Sequence, residues 1–246
     1  LGADSVNLSL GSGNPGDSYN DVYGDLLAYM ETTDTVVVMS AGNSGYWAET
    51  TKMGYLYHDD VNFATGGAPG SYTNSLGVAS VENDGTISNE MGAAEYDSHY
   101  YTMSSFSSWG VPGNLSLKPE ITAPGGMIWS IDGMDTSGTA YEMMSGTSMA
   151  APQVSGMAAL LAEYIRDRNL DEKTNLSARH LAHSLLMSTA QPLFEEASGG
   201  QYYSLLTQGA GLARIDLATQ AESYILVDGM PDGKVKAELG EDPDRV

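Results

Sequence analysis

The sequence predicts an α/β fold, a doubly wound and mostly parallel sheet with helices on both faces, and three observations carry that expectation. The run Thr35 to Met39 is β-branched and apolar at consecutive positions, as in a strand buried on both faces. Ahead of it, an alternating strand (Val6, Leu8, Leu10) and an apolar helical stripe (Val22, Leu26, Leu27, Met30) complete a βαβ unit. Far downstream, Met149, Val154, Met157, Leu160, Leu161 and Ile165 recur at the spacing of a buried helix.

The remaining elements follow in order. Leu76 to Val81 and Met127 to Ile131 read as short strands, separated by the polar, glycine- and serine-rich connections 66–75 and 83–105. Pro152 falls in or just beyond the first turn of the long helix, where a missing N–H costs least. Ser177 is placed to cap a second helix through Leu181, Leu185 and Leu186, after a loop at Asp171 to Thr174. From Glu222 the pattern changes to Tyr224-Ile225-Leu226-Val227, an Asp-Gly turn and the alternating Lys234-Val235-Lys236-Ala237-Glu238. That stretch, 222–246, reads as a linker or the first strands of a following β domain, and 1–221 as one unit.

Two short segments bear chemistry. In Ser145-Gly146-Thr147-Ser148-Met149-Ala150-Ala151-Pro152, Ser148 stands at the mouth of the long helix directly after a glycine turn, two residues past Gly146. Free N–H groups and the positive end of the helix dipole favour an anion there, which is what acyl transfer to a serine generates. Taken alone, Ser148 reads equally well as an N-cap. The second segment changes the balance: the strand ending at Met39 runs into Ser40-Ala41-Gly42-Asn43-Ser44-Gly45. Ligands bind beyond the carboxyl ends of parallel strands, so the Asn43 carboxamide is placed to meet an oxyanion, although Gly-Asn-Ser-Gly by itself is also an ordinary turn.

These segments resemble the subtilisin-like serine proteases. Ser145 to Pro152 is similar to the stretch bearing the family's nucleophile, Ala41-Gly42-Asn43 to its oxyanion-hole asparagine, and Gly2 to Gly11 to the strand lining its substrate cleft. Lys118 to Gly125 and Gly209-Ala210-Gly211-Leu212 match as well, in the family's order. Phe106 to Gly110 and Leu186 to Ala190 resemble the large cell-envelope branch, with only the short stretch from Glu82 to Tyr101 where some members carry an inserted domain.

The resemblance implies a serine endopeptidase in which Ser148 is the nucleophile and Asn43 an oxyanion donor. Ser9, Leu10, Gly11, Ala41, Gly42 and Thr147 are then substrate-binding, with Ser9 to Gly11 pairing an extended substrate strand and Ala41-Gly42 walling the primary pocket. It also implies that residues 1–221 are the C-terminal part of a catalytic domain, a sheet incomplete at its N-terminal side. The family's triad aspartate and histidine lie upstream of the strand at Val6, and none of His58, His99, His180 and His183 stands in a catalytic setting. Since a serine hydroxyl is a weak nucleophile without a positioned base, this chain alone is expected to be inactive and, with an open sheet edge, unstable. Gln153, where many members have histidine, is expected to affect packing only.

Thirty-two acidic against 10 basic residues give a net charge of −22, which repels phosphate backbones and argues against nucleic acid as a partner. The expected partners are a protein or peptide substrate and the upstream part of the same protease. No long apolar span appears, and the expected location is extracellular, secreted or at the surface of a bacterium. Zero cysteines exclude disulfides and zinc-thiolate sites. No cofactor is expected; calcium stays open with no ligand assigned, Asp59-Asp60 and Glu195-Glu196 reading as solvated charge and His180/His183 as lacking further metal ligands.

Two other functions compete. A non-catalytic relative that binds peptides, or a scaffold, would keep the fold and lose the triad. An α/β-hydrolase esterase would need Gly-x-Ser-x-Gly, where this chain has Ala150, and a downstream histidine.

Overall fold

A computed structural model describes residues 2–11, 22–45, 64–83, 86–89, 92–95, 101–112, 115–195, 199–230 and 232–237. Its centre is a parallel four-stranded sheet of β1 (Ser5–Leu8), β2 (Val36–Ser40), β3 (Leu76–Glu82) and β6 (Ile121–Gly126), in the order β1-β2-β3-β6. Val38 faces Asn7 on one side and Leu76 on the other, which fixes the register of the first three strands. The fold is α/β as expected.

All five β2 residues are buried because both faces of the strand are covered. Val36 and Val38, with Leu76, Val78, Ile121 and Ala123, pack under α2 (Thr147–Asp167) and α4 (Ala178–Ser188). On the opposite face Val37 and Met39 meet Leu27 of α1 (Val22–Met30). The α2 stripe places Ala150, Val154, Ala158, Leu161 and Ile165 in the core, where small residues let helix and sheet approach closely. Leu160, read as part of that stripe, is 55% exposed.

Several sequence expectations are corrected. The strand over Met127 to Ile131 does not join the sheet: β7 (Ile128–Ile131) forms an antiparallel hairpin with β8 (Tyr141–Met144). The fourth sheet strand is β6, which lies in the Lys118 to Gly125 segment and ends one residue past it. The connection 83–105 holds a hairpin of β4 (Thr86–Asn89) and β5 (Gly92–Glu95). The expected loop at Asp171 to Thr174 lies in a short helix, α3 (Leu170–Thr174). Ser177 does cap α4, its hydroxyl accepting from His180 N.

Beyond α4 come β9 (Phe194–Glu195), β10 (Gln201–Tyr202), α5 (Leu205–Gln208) and α6 (Ile215–Ala218). Between the last two, Gly209 and Gly211 lie against other backbone. A β-carbon on Gly209 would sit 2.3 Å from the Glu120 backbone, and one on Gly211 2.3 Å from Gln191 O, at positive φ in both cases. No strand forms at Tyr224–Val227 or Lys234–Ala237. Instead Ser184 Oγ donates to Ile225 O at 2.6 Å, and Lys234 and Lys236 turn inward onto the body.

Candidate active site

The sheet's carboxyl edge opens on a cleft of about 400 Å³ lined by residues that include Ser9, Leu10, Gly11, Gly42, Asn43, Thr147 and Ser148. Ser9 to Gly11 follow the end of β1, Ser40 to Ser44 continue β2, and Thr147 and Ser148 open α2. Parallel strands that end together, and a helix whose N-terminus meets them, thus bring residues more than 130 positions apart to one surface. Ala41 stands apart from the other expected binding residues. It is 5% exposed, its N–H donates to Val78 O at 3.0 Å, and it backs the cleft without lining it.

Asn43 is held by its oxygen. Thr147 N and Thr147 Oγ1 both donate to Asn43 Oδ1 at 2.9 Å, while Gly42 N donates to Thr147 Oγ1 at 3.1 Å. Two donors on Oδ1 set the amide's orientation, so that Nδ2 is the end left over. Among the described residues Nδ2 has no hydrogen-bond partner, and Asn43 is exposed. Ser108 braces the same turn, accepting from Ser44 N at 2.9 Å and donating its N–H to Gly42 O at 2.9 Å.

Gly146 keeps one space open. A β-carbon there would lie 3.4 Å from Asn43 Nδ2, 3.5 Å from Met149 Sδ and 3.6 Å from Ser148 N, so both donors border a volume the size of one atom, with the Met149 sulfur beside it. Gly146 has φ 161°, extended backbone open to any residue, and a β-carbon there would make only ordinary contacts, so glycine relieves neither strain nor clash but leaves the space between the donors unfilled. Ser148 is half-buried and follows buried Gly146 and Thr147. No side-chain cap comes from residue 146; Thr147 N is taken by Asn43 Oδ1 and Met149 N by Gly146 O at 2.9 Å, which leaves Ser148 N as the first-turn donor beside the cleft.

The cleft also includes Ser40, Ser44, Thr65, Gly67 and Ser108, which sequence reasoning did not assign. Ser108 lies in the quoted Phe106 to Gly110 segment, but Thr65 and Gly67 carry no local signal of their own. None of the described lining residues is charged, despite the net charge of −22.

The described histidines lie away from the cleft. His183 is fully buried with Nδ1 2.7 Å from Asp232 O, and burial pushes its pKa down to about 3, so it is a neutral donor to that carbonyl. His180 Nδ1 lies 2.6 Å from the capping Ser177 Oγ. His58, His99, Asp59-Asp60 and Glu196 fall outside the described residues. Among the described residues no three His, Cys, Asp or Glu side chains gather as metal ligands. Gln153 Nε2 donates to Pro124 O at 2.7 Å, tying α2 to the end of β6.

An α/β protein whose cleft lies at the ends of parallel strands, beside a helix that opens on serine, is the class defined by this fold and site. The chain belongs to the subtilase family, whose model matches residues 1–211. The PII-type proteinase of Lactococcus lactis subsp. cremoris is 37% identical over 125 residues, 48% of this chain and 6% of that protein. The C5a peptidase of Streptococcus pyogenes is 37% identical over 123 residues, 50% of this chain and 10% of that protein. Among solved structures, a PatG macrocyclase in complex with peptide has a TM-score of 0.56 at 19% identity, over 89% of this chain and 51% of that one, a likeness of fold. The family and these relatives support a serine peptidase. The matched stretches are small parts of the relatives' own lengths.

Proposed function

We propose that this chain is the nucleophile-bearing part of a serine endopeptidase that cleaves protein substrates through an acyl-enzyme on Ser148. The reading is carried by one observation: Asn43 Nδ2, unengaged among the described residues, and Ser148 N border the same open space at Gly146. In the proposed reaction Ser148 Oγ attacks the scissile carbonyl carbon and its proton passes to a histidine supplied by polypeptide upstream, oriented by an aspartate. Asn43 Nδ2 and Ser148 N donate to the resulting oxyanion, and the carbon–nitrogen bond breaks as the histidine returns the proton to the leaving amine. Water then repeats the sequence on the acyl group and restores Ser148. Ser9 to Gly11 and Gly42 pair the substrate backbone, and Thr147 holds Asn43.

The uncharged, hydroxyl-rich lining fits recognition through the substrate backbone. No described helix is long and apolar enough to cross a membrane. Acidity and the proteinase relatives favour an extracellular or cell-surface enzyme acting on proteins. The test supplies the upstream aspartate- and histidine-bearing stretch and adds a serine-directed fluorophosphonate. Labelling of the joined protein that disappears in Ser148→Ala is the expected result. Labelling that survives Ser148→Ala overturns the assignment, and no labelling at all favours a non-catalytic, peptide-binding relative.

A further inference from the structure

We propose that the Ser9 hydroxyl is a positioning residue for the nucleophile: it holds the first turn of α2 by occupying the carbonyl of Ser148, which Pro152 has released. This inference rests on Ser148 being the nucleophile.

In an α-helix the N–H of residue i+4 donates to the carbonyl of residue i, so the partner expected for Ser148 O is the N–H of residue 152. Proline has none. Pro152 lies inside α2, and Ser9 Oγ, from the end of β1, donates to Ser148 O at 2.9 Å in its place. Asn7 Nδ2 donates to Ser9 Oγ at 3.0 Å, and of the two acceptors within reach of the one hydroxyl hydrogen, Ser148 O at 2.9 Å is nearer than Asn7 Oδ1 at 3.4 Å. Four residues back, at the start of β1, Ser5 Oγ donates to Ser155 O at 2.8 Å. Residues 148 and 155 are seven apart, about two helical turns or 10 Å, so the strand and the residue just beyond its end contact the helix at two points two turns apart.

The helix is thereby tied where the reacting side chain emerges. A serine nucleophile must be held in a narrow geometry, and small misplacements cost rate more than binding. The effect of losing Ser9 Oγ belongs to kcat, because substrate pairing at residues 9–11 is a backbone function that the side chain does not supply.

The experiment uses the chain joined to its upstream stretch, with end-point fluorophosphonate labelling counting competent sites and hydrolysis of heat-denatured, fluorescein-labelled albumin giving kcat and KM. Ser9→Ala is expected to lower kcat and the labelling rate per site about 3- to 10-fold, the worth of one neutral hydrogen bond, with KM unchanged. Ser9→Thr keeps the hydroxyl and recovers most of the rate that Ser9→Ala loses. Pro152→Ala restores an N–H to Ser148 O, so in that background Ser9→Ala changes the rate less than about twofold. A wild-type rate in Ser9→Ala, or an equal loss in both backgrounds, overturns the inference. End-point labelling that survives Ser148→Ala overturns instead the assignment of the nucleophile beneath it.

Discussion

The cleft and the C-terminal segment 222–237 use polar groups in opposite ways. Around Ser148 the described polar side chains are uncharged, some buried (Thr147, Ser108) and some exposed (Ser9, Asn43), and include one carboxamide nitrogen without a partner among the described residues. Around Glu120 they are charged, buried and paired. Lys236 Nζ lies 2.9 Å from Glu120 Oε1, Lys118 Nζ 2.7 Å and Lys234 Nζ 3.5 Å, and Lys234 also meets Asp232 at 2.9 Å. Lys234 Nζ donates further to the carbonyls of Thr73 and Ser75, and Lys236 Nζ to Leu117 O at 2.9 Å. Gly233 permits the approach, since a β-carbon there would sit 2.3 Å from His180 O, at φ +76°.

The difference separates two uses of desolvation. A donor left unpaired beside open space is ready to bind developing charge. Charges already compensated can only hold two pieces of chain together, and they do so at the expense of desolvation that depends on every partner staying in place. Burial raises the Glu120 carboxyl, and the ammonium groups of Lys118, Lys236 and Lys234 outweigh it, holding it at about 2. Burial, reinforced by Lys234 and Lys236 against the pull of Glu120, brings Lys118 down to about 7.

If the two regions are separable in this way, substitutions should divide cleanly between rate and stability. The largest effect is expected from Ser148→Ala in the chain joined to its upstream stretch, with hydrolysis falling by at least about 10³-fold at an unchanged melting temperature. Asn43→Ala should lower kcat by about 10²- to 10³-fold, a magnitude established for a subtilisin's oxyanion donor and carried over to this one. Gly146→Ala places a methyl between the two donors and should cost at least about tenfold in kcat without unfolding the chain. An active Gly146→Ala would show that the space it fills is not used.

Glu120→Gln should do the reverse. It strands buried lysines, and a loss of about 3 kcal/mol is expected in chemical denaturation, with kcat per folded site unchanged. A change in kcat would show that the two regions are coupled.

The broadest effect is on pH. Folded His183 sits at about 3 against an ordinary 6.5, so as pH falls through 6.5 the unfolded chain gains a proton that the folded chain refuses, and stability drops. Glu120, at about 2 against 4.5, contributes stability above 4.5 that is lost as pH falls toward 2. Lys118, at about 7 against 10.5, gives a folded chain that binds fewer protons between those values, so stability rises with pH there. The melting temperature should therefore climb from acid to mildly alkaline pH, and His183→Gln should flatten the part between 3 and 6.5.

Local signals sufficed for the elements that bear the cleft. The consecutive apolar run at Val36 requires burial on both faces, and the stripe from Met149 to Ile165 requires a helix, so both were legible, and with them the positions of Asn43 and Ser148. The fourth strand was missed because Ile121-Thr122-Ala123-Pro124-Gly125 has small residues, proline and glycine where strand propensity is weak, and its place comes from pairing with β3. Thr65 and Gly67 reach the cleft only through the path of the chain between β2 and β3.

The alternation Lys234-Val235-Lys236 illustrates the limit most sharply. Period-two lysines read as the wet face of a strand, yet they are 0% and 7% exposed, because Glu120 and several backbone carbonyls, more than 110 residues away, are there to receive them. Sequence by itself determined what depends on neighbours within a few turns: the α/β class, the buried strand and helix, the glycine before the serine. Only the tertiary structure decided what depends on partners brought from afar: which atom of Asn43 is left facing the cleft, which carbonyl Ser9 occupies, and whether a lysine meets water or a carboxylate. The reason is physical, since backbone periodicity is a local property, whereas desolvation and hydrogen-bond satisfaction are settled by the surroundings that folding supplies.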